Sequence, residues 1–280
     1  MFSKNIKKIV FAVALMGCAW CAFKAIQYSS RLSALFFYKS QKRPVRIVAS
    51  MQELQTIAKE LVENNKGKKL LAAFDLDETL MHPDNQTGRG GDFWLQARVN
   101  NAMKKSNITW QQAFDMMLPI FFEIQQDSHF KMALVQGVDT KNTVEWIQKH
   151  FDKTIGLTAR AFPIEDDTIR LLEQAGISFV NSGSFRCLPT QDQLFVFDGV
   201  PGGFKHGIFF AGPGNKGDAL LKLFERCDYK PDIVLFVDDK AKNIRDVENA
   251  LKEHDIACVG LRYTYLDAVR DTYALPAAWL

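Results

Sequence analysis

The sequence has no arrangement of cysteine and histidine that would hold zinc. Its five histidines, His82, His129, His150, His206 and His254, show no ligand spacing. Of the five cysteines, Cys18 and Cys21 lie inside an apolar run with no partner pair nearby. Cys187, Cys227 and Cys258 are odd in number, which excludes a full disulfide framework but leaves room for one bond. Charge of one sign is also scarce. The formal net charge of +3 and the lack of a long basic run interleaved with aromatics give no case for nucleic acid. Nothing resembles a helix-turn-helix or a zinc finger, and there is no internal repeat or low-complexity segment. The glycines of Gly88-Arg89-Gly90-Gly91 are not followed by a Gly-Lys-Ser/Thr sequence, so they form no phosphate loop.

What is present begins with a targeting or anchoring segment. Lys4, Lys7 and Lys8 precede an uninterrupted apolar run at residues 9–23. A compact basic start and a run of that length match a secretory signal. A membrane span needs about 20 residues, which the run reaches if Lys24 snorkels and Ala25-Ile26 join it. Leu15-Met16-Gly17-Cys18 also resembles a lipoprotein cleavage box. All three readings carry the rest of the chain to or across a bacterial membrane. Residues 1–26 are therefore expected to be a signal peptide or anchor, and 27–49 a basic, membrane-proximal linker.

The remaining residues can bury a full core. Leu70-Leu71-Ala72-Ala73-Phe74 is an apolar run short enough for a buried strand, entered through the turn-like Asn65-Lys66-Gly67-Lys68. It ends in Asp75-Leu76-Asp77-Glu78-Thr79, two aspartates at the carboxyl end of a strand, where open α/β sheets bind ligands. Carboxylates buried so close together call for a compensating cation. A hard divalent ion, magnesium where phosphate is the substrate, suits oxygen ligands.

Asp75-Leu76-Asp77-Glu78-Thr79 resembles the first motif of the haloacid dehalogenase-like hydrolases, most of all their acid-phosphatase branch. The other three motifs have matches in order. Thr158 ends Thr154-Ile155-Gly156-Leu157-Thr158, Lys216 lies in Gly212-Pro213-Gly214-Asn215-Lys216-Gly217-Asp218, and Asp238-Asp239 follow Ile233-Val234-Leu235-Phe236-Val237. The resemblance spans roughly residues 68–265. It implies a doubly wound, mostly parallel α/β sheet of Rossmann-like type with a small helical cap. It further implies a phosphatase acting on a small-molecule or protein phosphomonoester, with Asp75 as nucleophile and Asp77 as general acid and base. Thr158 would hydrogen-bond the phosphoryl oxygens, and Lys216 would neutralise their charge. Asp75, Asp77 (through its backbone carbonyl) and Asp238 would hold Mg2+, with Asp239 behind them and Asn243 facing the same site. A phosphomutase-type transferase and a membrane-anchored module without catalysis are the alternatives.

Periodicity places the remaining elements. Ser50 to Glu53 reads as a capping box opening a helix with Leu54, Ile57, Ala58, Leu61 and Val62 on one face. Residues 81–153 are too long for a crossover loop and read as a three-helix cap: 93–105, 109 toward 130 with Pro119 inside it, and 139 or 140 to 151. The core is then 50–80 with 154–280. Strands are expected at 177–180, 194–197, 208–210, 233–237 and 256–261, and helices at 165–174, 216–226 and 241–252. Alternating strands and helices imply a parallel sheet covered on both faces.

Overall fold

A computed structural model describes residues 44–185, 193–197, 200–212 and 214–276. The signal or anchor expected at residues 1–26 and the linker as far as residue 43 lie outside these. Residues from Val45 onward form one compact unit. Among the described residues no helix is long and apolar enough to cross a membrane.

The chain builds an eight-stranded sheet. In chain order its strands are β1 (Arg46–Val48), β2 (Leu70–Phe74), β5 (Lys153–Thr158), β6 (Gln193–Phe197), β7 (Val200–Lys205), β8 (Ile208–Phe210), β9 (Ile233–Asp238) and β10 (Ala257–Tyr263). The spatial order is β1-β10-β9-β2-β5-β8-β7-β6. The strands from β1 across to β8 run parallel, and β7 and β6 continue the sheet as an antiparallel edge. Two further strands, β3 (Met81–Pro83) and β4 (Met132–Leu134), pair antiparallel in a small separate sheet.

The helices are α1 (Met51–Asn64), α2 (Asp92–Ser106), α3 (Trp110–Gln126), α4 (Val138–His150), α5 (Glu165–Ala175), α6 (Lys216–Arg226), α7 (Ala241–Glu253) and the short α8 (Asp267–Thr272). Both faces of the sheet are covered. Leu70, Ala72 and Phe74 of β2 point into one core with Leu54 and Ile57 of α1 and Val144 and Ile147 of α4. Leu71 and Ala73 point into the other, with Leu220 and Leu223 of α6 and Ile244 and Val247 of α7. A strand buried on both sides has no polar face to show, so β2 reads as a continuous apolar run. Full burial of each leucine or phenylalanine in it stabilises the fold by about 1.5–3 kcal/mol before entropy is counted.

Several expected helices carry the caps their sequences suggested. Ser50 Oγ accepts from the Glu53 backbone N–H. Thr109 and Gln112 exchange side-chain and backbone bonds reciprocally at the start of α3. Pro119 sits inside α3 without ending it.

The strands β3, β4 and β7 were not expected, and β7 separates β6 from β8, so those two do not pair as a hairpin. Three expected elements also differ. The end of the linker, Arg46–Val48, is a strand that pairs with β10. Residues 177–180 do not form a strand, although Ile177 and Phe179 are buried. The place beside β5 is taken by β8, so this stretch instead turns back, with Gly183 N–H donating to Phe179 O. The third helix expected in the cap, α4, packs along α1 of the core. Its buried Thr143 donates through Oγ1 to Met51 O at 3.2 Å, and Thr140, Val144 and Ile147 share that face.

Candidate active site

Three adjacent strands end at one place. Phe74, the last residue of β2, is in register with Val237 of β9 on one side and Gly156 of β5 on the other. The next residues are therefore Asp75 in the middle, Asp238 beside it, and Thr158 two positions along β5. This is the point where the chain order reverses direction from β2, the crevice where doubly wound sheets bind ligands. Asp75 N–H donates to Val237 O at 2.9 Å, which fixes the backbone of the turn.

Lys216 opens α6, whose N-terminus Asn215 caps by accepting from Gly217 and Asp218 N–H. Its ammonium lies between two carboxylates, 2.6 Å from Asp75 Oδ1 and 2.7 Å from Asp238 Oδ2. The three side chains are 3%, 8% and 0% exposed. Asn243, one turn into α7, donates to both oxygens of Asp238 at 3.0 and 2.9 Å. Lys240 N–H adds a further bond to Asp238 Oδ1.

Asp239 joins this group. One oxygen from each of Asp75, Asp238 and Asp239 lies within 4.8 Å of the others. Asp239 N–H donates to Thr79 Oγ1 at 3.1 Å, while its carboxylate Oδ1 is buried with no hydrogen-bond partner. Lys216 is the ammonium bonded to two of these three carboxylates, and an orphaned buried carboxylate oxygen is expensive. Burial pushes the Asp75 carboxyl well above the ordinary range, and the neighbouring Asp238 adds to the rise. Burial likewise pushes Asp239 up to about 7. Burial alone would lower the Lys216 ammonium, but Asp238 and Asp75 outweigh it and hold it charged. A cluster of three carboxylates, one of them with an unpartnered buried oxygen, fits a divalent ion held by hard oxygen ligands.

Asp77 and Thr158 lie at the same edge but face another partner. The carboxylate of Asp77 is gripped by Arg160, whose Nε and Nη2 each lie 2.8 Å from one of its oxygens. Burial raises the Asp77 carboxyl, but the charge and paired bonds of Arg160 outweigh this and hold it below its ordinary value. The buried Thr158 accepts from Arg160 N–H through Oγ1 at 3.1 Å. The structure thus brings Asp75, Lys216, Asp238 and Asn243 together. It adds the carboxylate of Asp239 to the cluster and turns that of Asp77 toward an arginine the sequence reading passed over. The signal for it was present: Arg160 follows Thr158 by two residues, a cation at the mouth of an acidic strand edge.

Glu78, which in the sequence only adjoins the two aspartates and strengthens the case for a cation, has a setting of its own. It is buried, has a left-handed φ of 59° and donates its N–H to Met81 O. Burial and then the charge of Asp77 push its carboxyl up to about 9 from 4.5. Between those two values the folded protein holds a proton that the unfolded chain has released. Stability from this group is therefore complete below about pH 4.5 and is lost as pH rises toward 9. We expect Glu78→Gln, measured by thermal unfolding in chelator, to raise the midpoint at pH 8 and leave it unchanged at pH 4. Parallel stability curves for variant and wild type would refute a protonated Glu78.

The insertion between β2 and β5 meets this edge through side chains of both α2 and α3. Lys240 Nζ reaches Asp92 Oδ2 of α2 at 2.7 Å, and Arg160 reaches Gln125 of α3 at 2.9 Å. Elsewhere, Cys227 is disulfide-bonded and Cys258 is free.

A family model described as "Protein of unknown function (DUF2608)" matches residues 50–278. A protein of Chlamydia trachomatis serovar D named "Putative outer membrane protein" is 19% identical over 224 residues, covering 78% of this chain and 77% of that protein. A Chlamydia pneumoniae protein with the same descriptive name is 22% identical over 247 residues, covering 85% and 84%. Among solved structures, a haloacid dehalogenase-like family hydrolase from Streptococcus pneumoniae superposes with a TM-score of 0.41 at 10% identity, over 72% of this chain and 97% of that one. A class C acid phosphatase from Bacillus anthracis with tungstate bound gives a TM-score of 0.36 at 12% identity, over 89% and 92%.

Proposed function

The chain belongs to the family described as "Protein of unknown function (DUF2608)", and from its site we propose that it is a magnesium-dependent phosphatase of phosphomonoesters. The observation that carries this reading is the buried ammonium of Lys216 between Asp75 and Asp238 at the carboxyl edge of the sheet. A lysine in that position favours the ionised form of Asp75 against the burial and the Asp238 charge that raise its carboxyl, aligns it for attack, and supplies positive charge where phosphoryl oxygens gather. Phosphoryl transfer asks for little more than such positioning and charge stabilisation.

The residues divide the work as follows. Asp75 attacks phosphorus and carries the phosphoryl group as an aspartyl phosphate. Asp77, whose carboxyl Arg160 holds below its ordinary value, takes up a proton as substrate binds, gives it to the departing oxygen and then takes one from the water that hydrolyses the intermediate. The Thr158 hydroxyl and Lys216 hold the phosphoryl oxygens. Asn243, which touches both oxygens of Asp238, keeps that carboxylate turned inward. Asp75, Asp238, Asp239 and the backbone carbonyl of Asp77 would hold the magnesium ion. That ion supplies charge neutralisation, letting an anionic nucleophile meet an anionic substrate.

We further propose that the domain works outside the cytoplasm, delivered or held by its N-terminal apolar segment. The disulfide at Cys227 supports this, since such bonds persist in oxidising compartments, as do the names of the chlamydial relatives.

The test is a phosphatase screen of the purified full chain in detergent, with and without magnesium. We expect activity on phosphomonoesters that chelator removes and magnesium restores. No activity on any phosphomonoester in magnesium would refute the reading, and full activity in metal-free buffer would refute the metal.

A further inference from the structure

Arg160 stands at a junction that the mechanism so far does not use. Its Nε and Nη2 bind both oxygens of Asp77 as a planar fork. Its Nη1 donates to Gln125 Oε1 at 2.9 Å and to Thr168 Oγ1 at 3.2 Å. The side chain is only 3% exposed. Gln125 is fully buried at the end of α3, and its own Nε2 donates to Gly90 O, just ahead of α2. Its backbone carbonyl accepts from Arg170 of α5 at 2.9 Å. One guanidinium therefore joins the carboxylate at the reacting edge to a helix of the insertion and a helix of the core.

A guanidinium fork fixes the plane as well as the position of the carboxylate it holds. Two of its four bonds serve Asp77. The remaining two decide where the fork itself sits, and one of them comes from α3. We infer that Arg160 is a positioning residue for Asp77, and that Gln125 makes this positioning depend on α3 being docked against the core.

The inference rests on the phosphatase reading and refines one step of it. In that step an oxygen of Asp75 bonds to phosphorus as the bond from phosphorus to the ester oxygen breaks. The electron pair of the broken bond stays on the leaving oxygen, which takes from the Asp77 carboxyl a proton that Asp77 gains from solvent as substrate binds, since Arg160 holds its carboxyl below the ordinary range beforehand. The products are an alcohol, the aspartyl phosphate and a carboxylate at Asp77, ready to accept a proton from water. A misaimed Asp77 matters most when the leaving oxygen needs the proton most.

The readout is therefore leaving-group dependence. The full chain in detergent and magnesium is assayed on p-nitrophenyl phosphate, whose leaving group departs unaided, and on a simple alkyl phosphate, whose leaving group does not. Misplacing a proton donor costs on the order of 10²–10⁴-fold. We expect Arg160→Lys to lose about 100-fold or more in kcat on the alkyl ester and far less on the nitrophenyl ester. Gln125→Leu should show the same selective loss at a smaller size. Gln125→Glu, which keeps the acceptor for Arg160, should restore the wild-type ratio of the two rates. Equal losses on both esters, a change in KM alone, or identical behaviour of the two Gln125 variants would each overturn the inference. A wild-type chain inactive on both esters would instead overturn the phosphatase reading itself. If Arg160→Lys does not fold, the two Gln125 variants carry the comparison alone, since neither removes the bond to Asp77.

Discussion

Replacing Asp75 by Asn is expected to abolish turnover while leaving the domain folded. The substitution keeps the shape of the side chain and an oxygen that can accept from Lys216, but removes the charge that attacks phosphorus. Loss of a nucleophile costs roughly 10⁴-fold or more in kcat. Stability should move the other way. Asp75 is buried beside Asp238 and Asp239, and burial together with Asp238 disfavours its charged form, so the neutral amide relieves crowding. Lys216 retains Asp238 at 2.7 Å. Thermal unfolding and activity on a phosphomonoester, measured on the same preparation, decide the matter. A variant that turns over at more than a small fraction of the wild-type rate would remove Asp75 from its role. A variant that unfolds would show that the carboxylate is needed for structure.

Lys216→Met should act on fold and function together. The methionine fills similar space but leaves Asp75 and Asp238 facing each other in the interior without their shared cation. Breaking a buried pair by removing one partner costs about 3–5 kcal/mol. The loss should be greater at pH 8 than at pH 5, because at the lower pH one carboxyl can take up a proton and the repulsion ends. Magnesium, bound by the folded form alone, should return part of the lost stability by mass action. Denaturant unfolding at the two pH values, with and without magnesium, reads all of this. A variant within about 0.5 kcal/mol of wild type, the range of ordinary surface changes, would mean that the buried cation is not what holds the site together.

Much of this arrangement was legible in the chain, for a definite reason. Leu70 to Phe74 and Ile233 to Val237 are apolar at every position, and two such strands leave the acidic residues that follow them no place but the sheet edge. Parallel register then sets Asp75 beside Asp238 with no further information. Lys216 could be placed because it opens a helix at a capped turn. What stayed hidden depends on contacts between residues far apart in sequence. Nothing near Gln125 shows that it will be buried against Arg160, 35 positions away. The stretch at Ile177 to Val180 alternates like a strand, but whether it becomes one depends on β8 having already taken the place beside β5. The helix α4 lies inside the insertion, and nothing in its own sequence shows that its apolar face meets α1.

The outermost strand of the parallel array has a practical consequence. β1 runs parallel to β10, which runs parallel to β9, and so to β2. The amino ends of all four strands therefore lie along one margin of the sheet, and Asp75 and Asp238 lie along the opposite one. Neighbouring strands are spaced about 4.8 Å apart, so the chain also enters the domain some three strand widths to the side of β2. A reporter fixed at Val45 itself therefore sits along the margin opposite the one that carries the carboxylates. Immobilisation at that residue is thus expected to leave turnover unhindered, which makes it the preferred geometry for a surface-bound assay of this domain.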